Sequence, residues 1–273
     1  MDLDLVLREQ CAALVGETEP AQAFGTYIVP SQEPAAELGR LVERDVFGEF
    51  FANTPELLAE EYDPYESSSV FLCVIDHRRL VPAGVSRMIR SSPAGLKSVA
   101  DIQRVWHQPP AEVVARTGSA LNVQHCWDVA TLATTADYRG KGSEGLVSLA
   151  LYQAIIMSAM ASGVPWLVAV MDLEVIDLLS ERIGSPFSRF PGVEPASYLD
   201  SPASLPVYVD LEAYGARLAA QDEAIHSILF GGTGLEAALL TPDWADAMRK
   251  TAAQLDASAQ ADSMSSVRVA GRS

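Results

Sequence analysis

The stretch Asp128–Gly145, DVATLATTADYRGKGSEG, decides the fold, because a strand, a glycine-rich turn and the start of a helix follow one another within it. The pattern predicts a strand over Cys126–Thr134 and the turn over residues 139–145. The next helix runs to about Ser162, where Gly163 is a typical helix stop. Main-chain N–H groups at such a turn can bind an anion, because glycine lacks a Cβ and the first helical turn has unpaired donors.

The charge of this turn is opposite in sign to that of the chain. Arg139 and Lys141 lie in the turn, although 19 Lys and Arg face 36 Asp and Glu over the 273 residues, for a formal net charge of −17. The local reversal favours phosphate or pyrophosphate, whereas the glycines alone fit a solvated tight turn equally well. A Walker loop is disfavoured because neither Ser nor Thr follows Lys141. Gly140, Gly142 and Gly145 fit a Rossmann string, but the turn follows three earlier strands and lacks the expected acidic residue downstream.

The elements on either side of this stretch predict the fold class. Their order is strand, helix, three strands, helix, strand, helix and strand, which indicates an α/β or α+β domain with a mixed, mostly antiparallel central sheet flanked by helices. The other predicted strands are Phe24–Val29, Ser69–Asp76, Ala83–Ile89, Trp166–Val170 and Pro206–Leu211, and the other predicted helices are a segment opened by Pro34, residues 173–183 and residues 212–228. The expected organisation is an N-terminal arm (1–23), the main domain (24–211), a C-terminal helical extension (212–251) and a flexible tail (252–273).

Composition excludes several classes of protein. Apolar residues make up 49% and charged residues 20% of the chain, an ordinary globular balance. The acidity argues against nucleic acid and against anionic membranes as partners. Three scattered cysteines and four histidines without a close pair give no support to disulfides or a metal site. The acidic N-terminus does not have the pattern of a secretory signal, so a cytoplasmic location is expected, and the uncharged stretch 146–171 is broken by Gly163-Val164-Pro165, which favours a buried helix and strand over a membrane span.

The segment TLATTADYRGKG (residues 131–142) resembles the acyl-CoA signature of the GNAT acyltransferase superfamily, in which a strand leads into R/Q-x-x-G-x-G/A at the start of a helix. Glu144 stands where the family has Gly or Ala, so Gly145 would have to provide the close approach to the pyrophosphate. The resemblance implies that the strand backbone pairs with the pantetheine arm and that the turn amides hold the pyrophosphate of acyl-CoA. The implied binding residues are Leu132, Ala133, Thr134, Arg139, Gly140, Lys141, Gly142, Ser143 and Gly145.

The front half of the chain is similar, in part, to autoinducer synthases and long-chain N-acyl amino acid synthases. The matching segments are Arg44–Phe47, Glu61–Glu66, and the two strands Phe71–Asp76 and Gly84–Ile89, while the tryptophan usual between the first two is absent. Those enzymes are GNAT relatives that often take the acyl group from acyl carrier protein. The resemblance therefore implies either acyl-CoA or acyl carrier protein as co-substrate, since both present phosphopantetheine, and no metal.

Amine acylation requires a positioned thioester, a donor to the oxyanion and a general base. Strand alternation predicts that Asp128, Leu132 and Thr134 share one face, which makes Asp128 the candidate base. A carboxylate bonded to a neighbouring loop or strand is the structural alternative for Asp128. His125 lies on the opposite face unless the strand bulges.

Two further side chains are candidates for the reaction. Ser180 takes the position at which many GNAT members have a tyrosine that protonates the departing thiolate, and Tyr138 or Tyr152 are substitutes for it. Arg87, on a predicted strand, is a candidate partner for the carboxylate of an amino-acid acceptor. Its ordinary alternative is an ion pair with Glu61 or Asp63.

The predicted function is N-acyl transfer from acyl-CoA or acyl carrier protein to a small-molecule amine or amino acid. A non-catalytic ligand-binding or scaffold protein of the same fold is the alternative, motivated by Glu144 and Ser180. A Rossmann-type nucleotide enzyme is a weaker third. The C-terminal helical segment is expected to cover a hydrophobic surface or to mediate self-association as a homodimer.

Overall fold

A mixed β-sheet organises the chain. The computed structural model describes residues 3–17, 20–118 and 121–270. The strands are β1 (Phe24–Pro30), β2 (Ser69–Asp76), β3 (Val81–Ile89), β4 (Cys126–Thr134), β5 (Trp166–Asp172), β6 (Ser188–Arg189), β7 (Ala196–Tyr198), β8 (Ser201–Asp210) and β9 (Leu239–Leu240). Their order in the sheet is β6-β8-β5-β4-β3-β2-β1-β9, with β7 also paired to β8. Neighbouring strands are antiparallel except for the β4–β5 and β1–β9 pairs, which confirms the predicted mixed, mostly antiparallel sheet.

Helices cover both faces of this sheet. They are α1 (Leu3–Val15), α2 (Ala36–Phe51), α3 (Pro55–Tyr62), α4 (Lys97–Trp106), α5 (Pro110–Ala115), α6 (Leu146–Ala161), α7 (Leu173–Ile183), α8 (Leu211–Gln221), α9 (Glu223–Leu229) and α10 (Trp244–Ala270). Gly39 lets α2 approach one face, since a Cβ there would lie 2.3 Å from Phe71. Gly84 does the same for α6 on the other face, 2.8 Å from Val147.

Local signals set several helix ends. The Asp172 carboxylate accepts a hydrogen bond from the Glu174 N–H and so caps α7, and Gly184 ends this helix in the left-handed conformation at φ +78°. The prediction of a helix over residues 173–183 is confirmed. Gly145 begins α6 at φ +83°, a backbone conformation that glycine adopts without strain.

Strands β4 and β5 separate after a short parallel ladder. Only Cys126–Asp128 pairs with Trp166–Val168. Beyond this ladder the two strands diverge, and β4 continues to Thr134 bonded only to β3 on its other side. The sheet therefore opens into a cleft, and the glycine-rich turn follows the open end of β4.

A β-bulge interrupts β4 before this open end. Thr131 is paired with Arg87 and Val129 with Met88, so that Ala130 has no partner in β3. The extra residue reverses the alternation along the strand. Asp128 therefore lies on the face of α4, opposite Leu132 and Thr134, and the prediction that these three residues share a face is wrong.

The C-terminal segment contains more than helices. β9 adds a parallel strand to β1, so the segment after residue 211 contributes to the same sheet. The helix α10 extends to Ala270, through most of the stretch predicted as a frayed tail. The uncharged stretch 146–171 forms α6 and β5, and among the described helices none combines the length and apolarity that a bilayer span requires.

Candidate active site

The glycine-rich turn leads directly into the N-terminus of α6. A Cβ on Gly142 would lie 2.0 Å from the Asp137 carbonyl oxygen, so only glycine fits there without moving the backbone. The Gly142 N–H donates to the Arg139 carbonyl oxygen at 3.0 Å. Residues 140–142 form one turn of 3-10 helix, and Ser143, Glu144 and Gly145 connect it to α6. The N–H groups at the start of α6 lie at the positive end of the helix dipole, so this place is suited to an anion.

A side-chain network holds this turn in place. The buried Tyr138 hydroxyl donates to the Asp76 carboxylate at 2.7 Å and accepts from Arg79 at 3.1 Å. Arg79 also pairs with Asp137 at 2.8 Å. Burial, and then the Asp76 carboxylate, raise the pKa of Tyr138. Tyr138 thus braces the turn.

Arg139 connects the end of β4 to α2. Its Nε donates to the Thr134 carbonyl oxygen at 2.7 Å, its Nη1 pairs with Glu49 at 3.0 Å, and its guanidinium carbon lies 4.4 Å from the centre of the Phe50 ring. Its Nη2 is buried and has no hydrogen-bond partner among the described residues. The role of Arg139 in phosphate binding stays a prediction. The Lys141 side chain lies outside the described part of the structure, although its backbone belongs to the turn.

An apolar cavity of about 60 Å³ lies at the inner end of the cleft. It lies between β4, β5, β8 and the helices α6, α7 and α8. Leu132, a predicted pantetheine contact, lines this cavity, while Ala133 is buried on the opposite face against the α2 side. Thr134 is half-buried at the end of β4. The other lining side chains include Val129, Tyr152, Ala169, Met171, Leu179 and Phe187.

Asp128 is enclosed on the α4 side. The side chain is fully buried, and its two oxygens accept hydrogen bonds from the Ser98 N–H at 2.6 Å and the Ser98 hydroxyl at 2.7 Å. Burial raises the pKa of Asp128 to about 6, against the opposing effect of the Ser98 bonds. The carboxylate caps the start of α4 and does not line the apolar cavity. This arrangement matches the structural alternative for Asp128.

Ser180 is also engaged within its own helix. Its hydroxyl donates to the Ile176 carbonyl oxygen at 2.8 Å and lies 3.1 Å from the Ser185 hydroxyl. The cavity is lined instead by Tyr152, whose hydroxyl shares a hydrogen bond with Ser148. Burial raises the pKa of Tyr152, while the Ser148 bond and the charge of Arg182 oppose that rise.

A polar pocket of about 230 Å³ lies on the α2 and α3 side of the sheet. Arg87, 3% exposed, forms two hydrogen bonds with the Glu43 carboxylate, at 2.9 and 2.7 Å, and one with Glu66 at 2.7 Å. Thr131 links Glu43 to β4 by donating to it at 2.6 Å. The expected alternative pairing of Arg87 with Glu61 or Asp63 is therefore wrong.

Both signs of charge converge in this pocket. Arg40 and Arg44 join Arg87 in the lining, opposite the Glu43 and Glu66 carboxylates. Sequence reasoning missed Glu43. The sequence could have indicated Glu43, because it is a carboxylate on the apolar face of α2. A buried carboxylate requires a buried partner of opposite charge.

A second buried charge cluster adjoins this pocket and was also missed. Lys97 Nζ lies 2.6 Å from Glu61 and 2.7 Å from Asp101, and the Tyr198 hydroxyl bonds both Lys97 and Asp101 at 2.6 Å. Lys97 is 2% exposed and Asp101 is 3% exposed. The cluster joins α3, α4 and β7 under the polar pocket. The described residues contain no group of three or more His, Cys, Asp and Glu arranged to hold a metal ion.

Solved structures share this architecture, although no known family profile and no curated protein matches the sequence. The fold is similar to that of BjaI, a CoA-dependent acyl-homoserine lactone synthase solved with SAM and isopentyl-CoA, at 16% identity, with 84% of this chain and 98% of that chain covered and a TM-score of 0.52. It is also similar to FeeM, an N-acyl amino acid synthase from uncultured soil microbes, at 14% identity, 73% and 97% coverage and a TM-score of 0.54.

A further similar structure is the acyl-homoserine lactone synthase LasI, at 14% identity, 77% and 96% coverage and a TM-score of 0.50. These likenesses confirm the predicted fold, which the chain shares with these three synthases. At this level of identity they establish the fold alone.

Proposed function

We propose that the protein is an N-acyltransferase that moves an acyl group from a phosphopantetheine thioester to the amine of a small molecule. The observation that carries this proposal is the separation of β4 from β5 directly before a glycine-rich turn that leads into the N-terminus of α6. A cleft and an anion site thereby meet at one end of the sheet. Phosphopantetheine has the matching shape, with a phosphate at one end and a slender amide-containing arm.

The donor would lie along the open edge of β4. Its phosphate accepts from N–H groups of Ser143, Glu144 and Gly145, while its arm pairs with the main chain of Leu132–Thr134 on the side away from β3, where the Thr134 carbonyl oxygen already accepts from Arg139. An unpaired strand edge offers such an arm both donors and acceptors at regular spacing. Acyl-CoA and acyl carrier protein both present this group.

The acyl chain would occupy the apolar cavity. The lining around Ala169 and Met171 is apolar apart from the hydroxyl groups of Tyr152 and Tyr214, so it provides binding energy in proportion to the buried chain surface. A chain placed there leaves the thioester near the opening between the strands, next to the bulge at Ala130.

The acceptor would bind in the polar pocket. Arg40 and Arg87 are suited to a carboxylate, and Glu43 and Glu66 to an ammonium group, so the pocket matches an amino acid or a similar zwitterion. Reaction requires the ammonium to lose its proton before the nitrogen attacks the thioester carbonyl carbon and the thiolate leaves. We assign the proton acceptor to Glu66, whose side chain is 32% exposed, rather than to the enclosed Asp128.

Thiol release tests this proposal. The protein is incubated with acyl-CoAs of increasing length and a panel of amino acids, and free CoA thiol is measured with a thiol reagent. Turnover that requires both substrates supports the proposal, and Glu66→Gln should then lower kcat. Absence of binding to CoA, acyl-CoA and acyl carrier protein contradicts it.

A non-catalytic binding protein is the second candidate. The Ser180 side chain stands at the position expected for the acid that protonates the departing thiolate. Its hydroxyl already donates to a carbonyl oxygen within α7. Tight acyl-CoA binding without thiol release across the amine panel would favour this candidate.

A further inference from the structure

We propose that Arg182 of α7 is the cation that binds the donor phosphate, in place of Arg139. This inference rests on the proposed function, and it assigns a specificity residue that the turn motif does not contain. The Arg182 guanidinium lies beside the main chain at the start of α6.

Arg182 reaches the turn from a different helix. A Cβ placed on Gly145 would lie 4.0 Å from Arg182 Nη1, so the guanidinium stands beside the residue that begins α6. The charge also acts on Tyr152, where it opposes the rise in pKa caused by burial. The guanidinium is therefore close to both the N-terminus of α6 and the wall of the cleft.

The hydrogen-bonding capacity of Arg182 is unused. Within the described residues it forms no ion pair and no side-chain hydrogen bond, whereas Arg139 is engaged with Thr134 and Glu49. A guanidinium offers five N–H donors in a planar fork that fits phosphate oxygens. A guanidinium without a hydrogen-bond partner among the described residues thus lies beside the main chain at the start of α6.

The two components belong to opposite sides of the split sheet. The turn continues from β4, whereas α7 follows β5 and packs on β5 and β8. A phosphate bound between Arg182 and the turn would therefore bridge the two sides of the cleft. Since Gly145 lacks a side chain, nothing of its own fills the space between them.

A series of ligands of increasing size tests this proposal. Binding of N-acetylcysteamine thioester, 4′-phosphopantetheine, dephospho-CoA and CoA is measured by calorimetry for the wild-type protein and for Arg182→Gln. Loss of a charge-assisted contact to phosphate should weaken 4′-phosphopantetheine and CoA by about tenfold, and leave the phosphate-free thioester unchanged. Arg182→Lys should recover part of the loss.

A matched control keeps the charge change constant. Arg249→Gln removes the same charge from the exposed surface of α10, where Arg249 pairs with Asp246 at 3.4 Å. It should leave every affinity unchanged. The alternative role of Arg182, as a cation that stabilises the C-terminal end of α7, predicts a lower Tm with unchanged phosphate affinity.

The outcomes separate this inference from the proposed function. If the wild-type protein binds CoA and Arg182→Gln binds it equally well, the assignment of Arg182 is wrong and the proposed function stands. If the wild-type protein binds none of the ligands, nor acyl carrier protein, the proposed function fails first.

Discussion

Replacing Gly142 by alanine should disable donor binding without unfolding the protein. The new Cβ would lie 2.0 Å from the Asp137 carbonyl oxygen, and real Cβ contacts begin at about 3.0 Å, so the two backbone segments must separate by about 1 Å. That displacement moves the neighbouring Ser143 N–H out of line with a bound phosphate. A 1 Å error in positioning costs about 100-fold in rate. We therefore expect kcat/KM for acyl-CoA to fall by about that factor.

Gly140→Ala provides the matched control in the same turn. Gly140 has φ +53° with no atom within 4 Å of the added Cβ, so alanine there meets conformational strain of about 1–2 kcal/mol but no collision. Its Tm should fall while donor affinity is retained. Calorimetric titration with CoA and thermal melts of both variants make the comparison. Equal CoA affinity of Gly142→Ala and the wild type would refute the role of the turn.

Three further predictions concern the other parts of the site. Arg40→Met should raise KM for a carboxylate-bearing acceptor by about tenfold and leave KM for acyl-CoA unchanged, because Arg40 lines the polar pocket and its side chain is 28% exposed; equal changes in both constants would refute this. Asp128→Asn should flatten the pH profile of stability. The folded-state pKa of Asp128 is raised to about 6, so the folded protein binds this proton more tightly than the unfolded chain does. The carboxyl contribution is therefore fully present below the unfolded-state pKa of 3.8 and is lost, by about 3 kcal/mol in total, as pH rises through 6. Denaturant unfolding of both proteins from pH 3 to 7 measures it, and parallel profiles would contradict it. Ala169→Leu, in the cavity wall, should shift the preferred acyl chain toward shorter lengths; an unchanged chain-length profile would place the acyl group elsewhere.

Sequence patterns predicted the elements that local chemistry determines. The helix over Leu173–Ile183 has an Asp cap at one end and a glycine stop at the other, and the β2–β3 hairpin follows from two apolar runs joined by a polar turn. The glycine-rich turn was located for the same reason, since the backbone conformations at Gly140 and Gly145 favour glycine. Each of these features is encoded within a few neighbouring residues.

Features that depend on distant partners were missed. The bulge at Ala130 arises from the pairing of β4 with β3, and it moves Asp128 to the opposite face from the one that alternation predicts. The engagement of Arg139 by Glu49 depends on α2, about 90 residues earlier in the chain. Arg182 reaches the turn from beyond β5 and is not part of any local motif. Side-chain roles at a site assembled across a sheet require the tertiary arrangement.

The claim that the split sheet and its turn bind a phosphopantetheine thioester is tested most directly by a structure of the protein with a non-hydrolysable acyl-CoA analogue. We predict the phosphate at the N–H groups of Ser143–Gly145, the pantetheine arm along Leu132–Thr134 and the acyl chain in the cavity beside Ala169. An analogue bound away from the gap between β4 and β5, or a gap that stays closed at saturating ligand, would contradict the account.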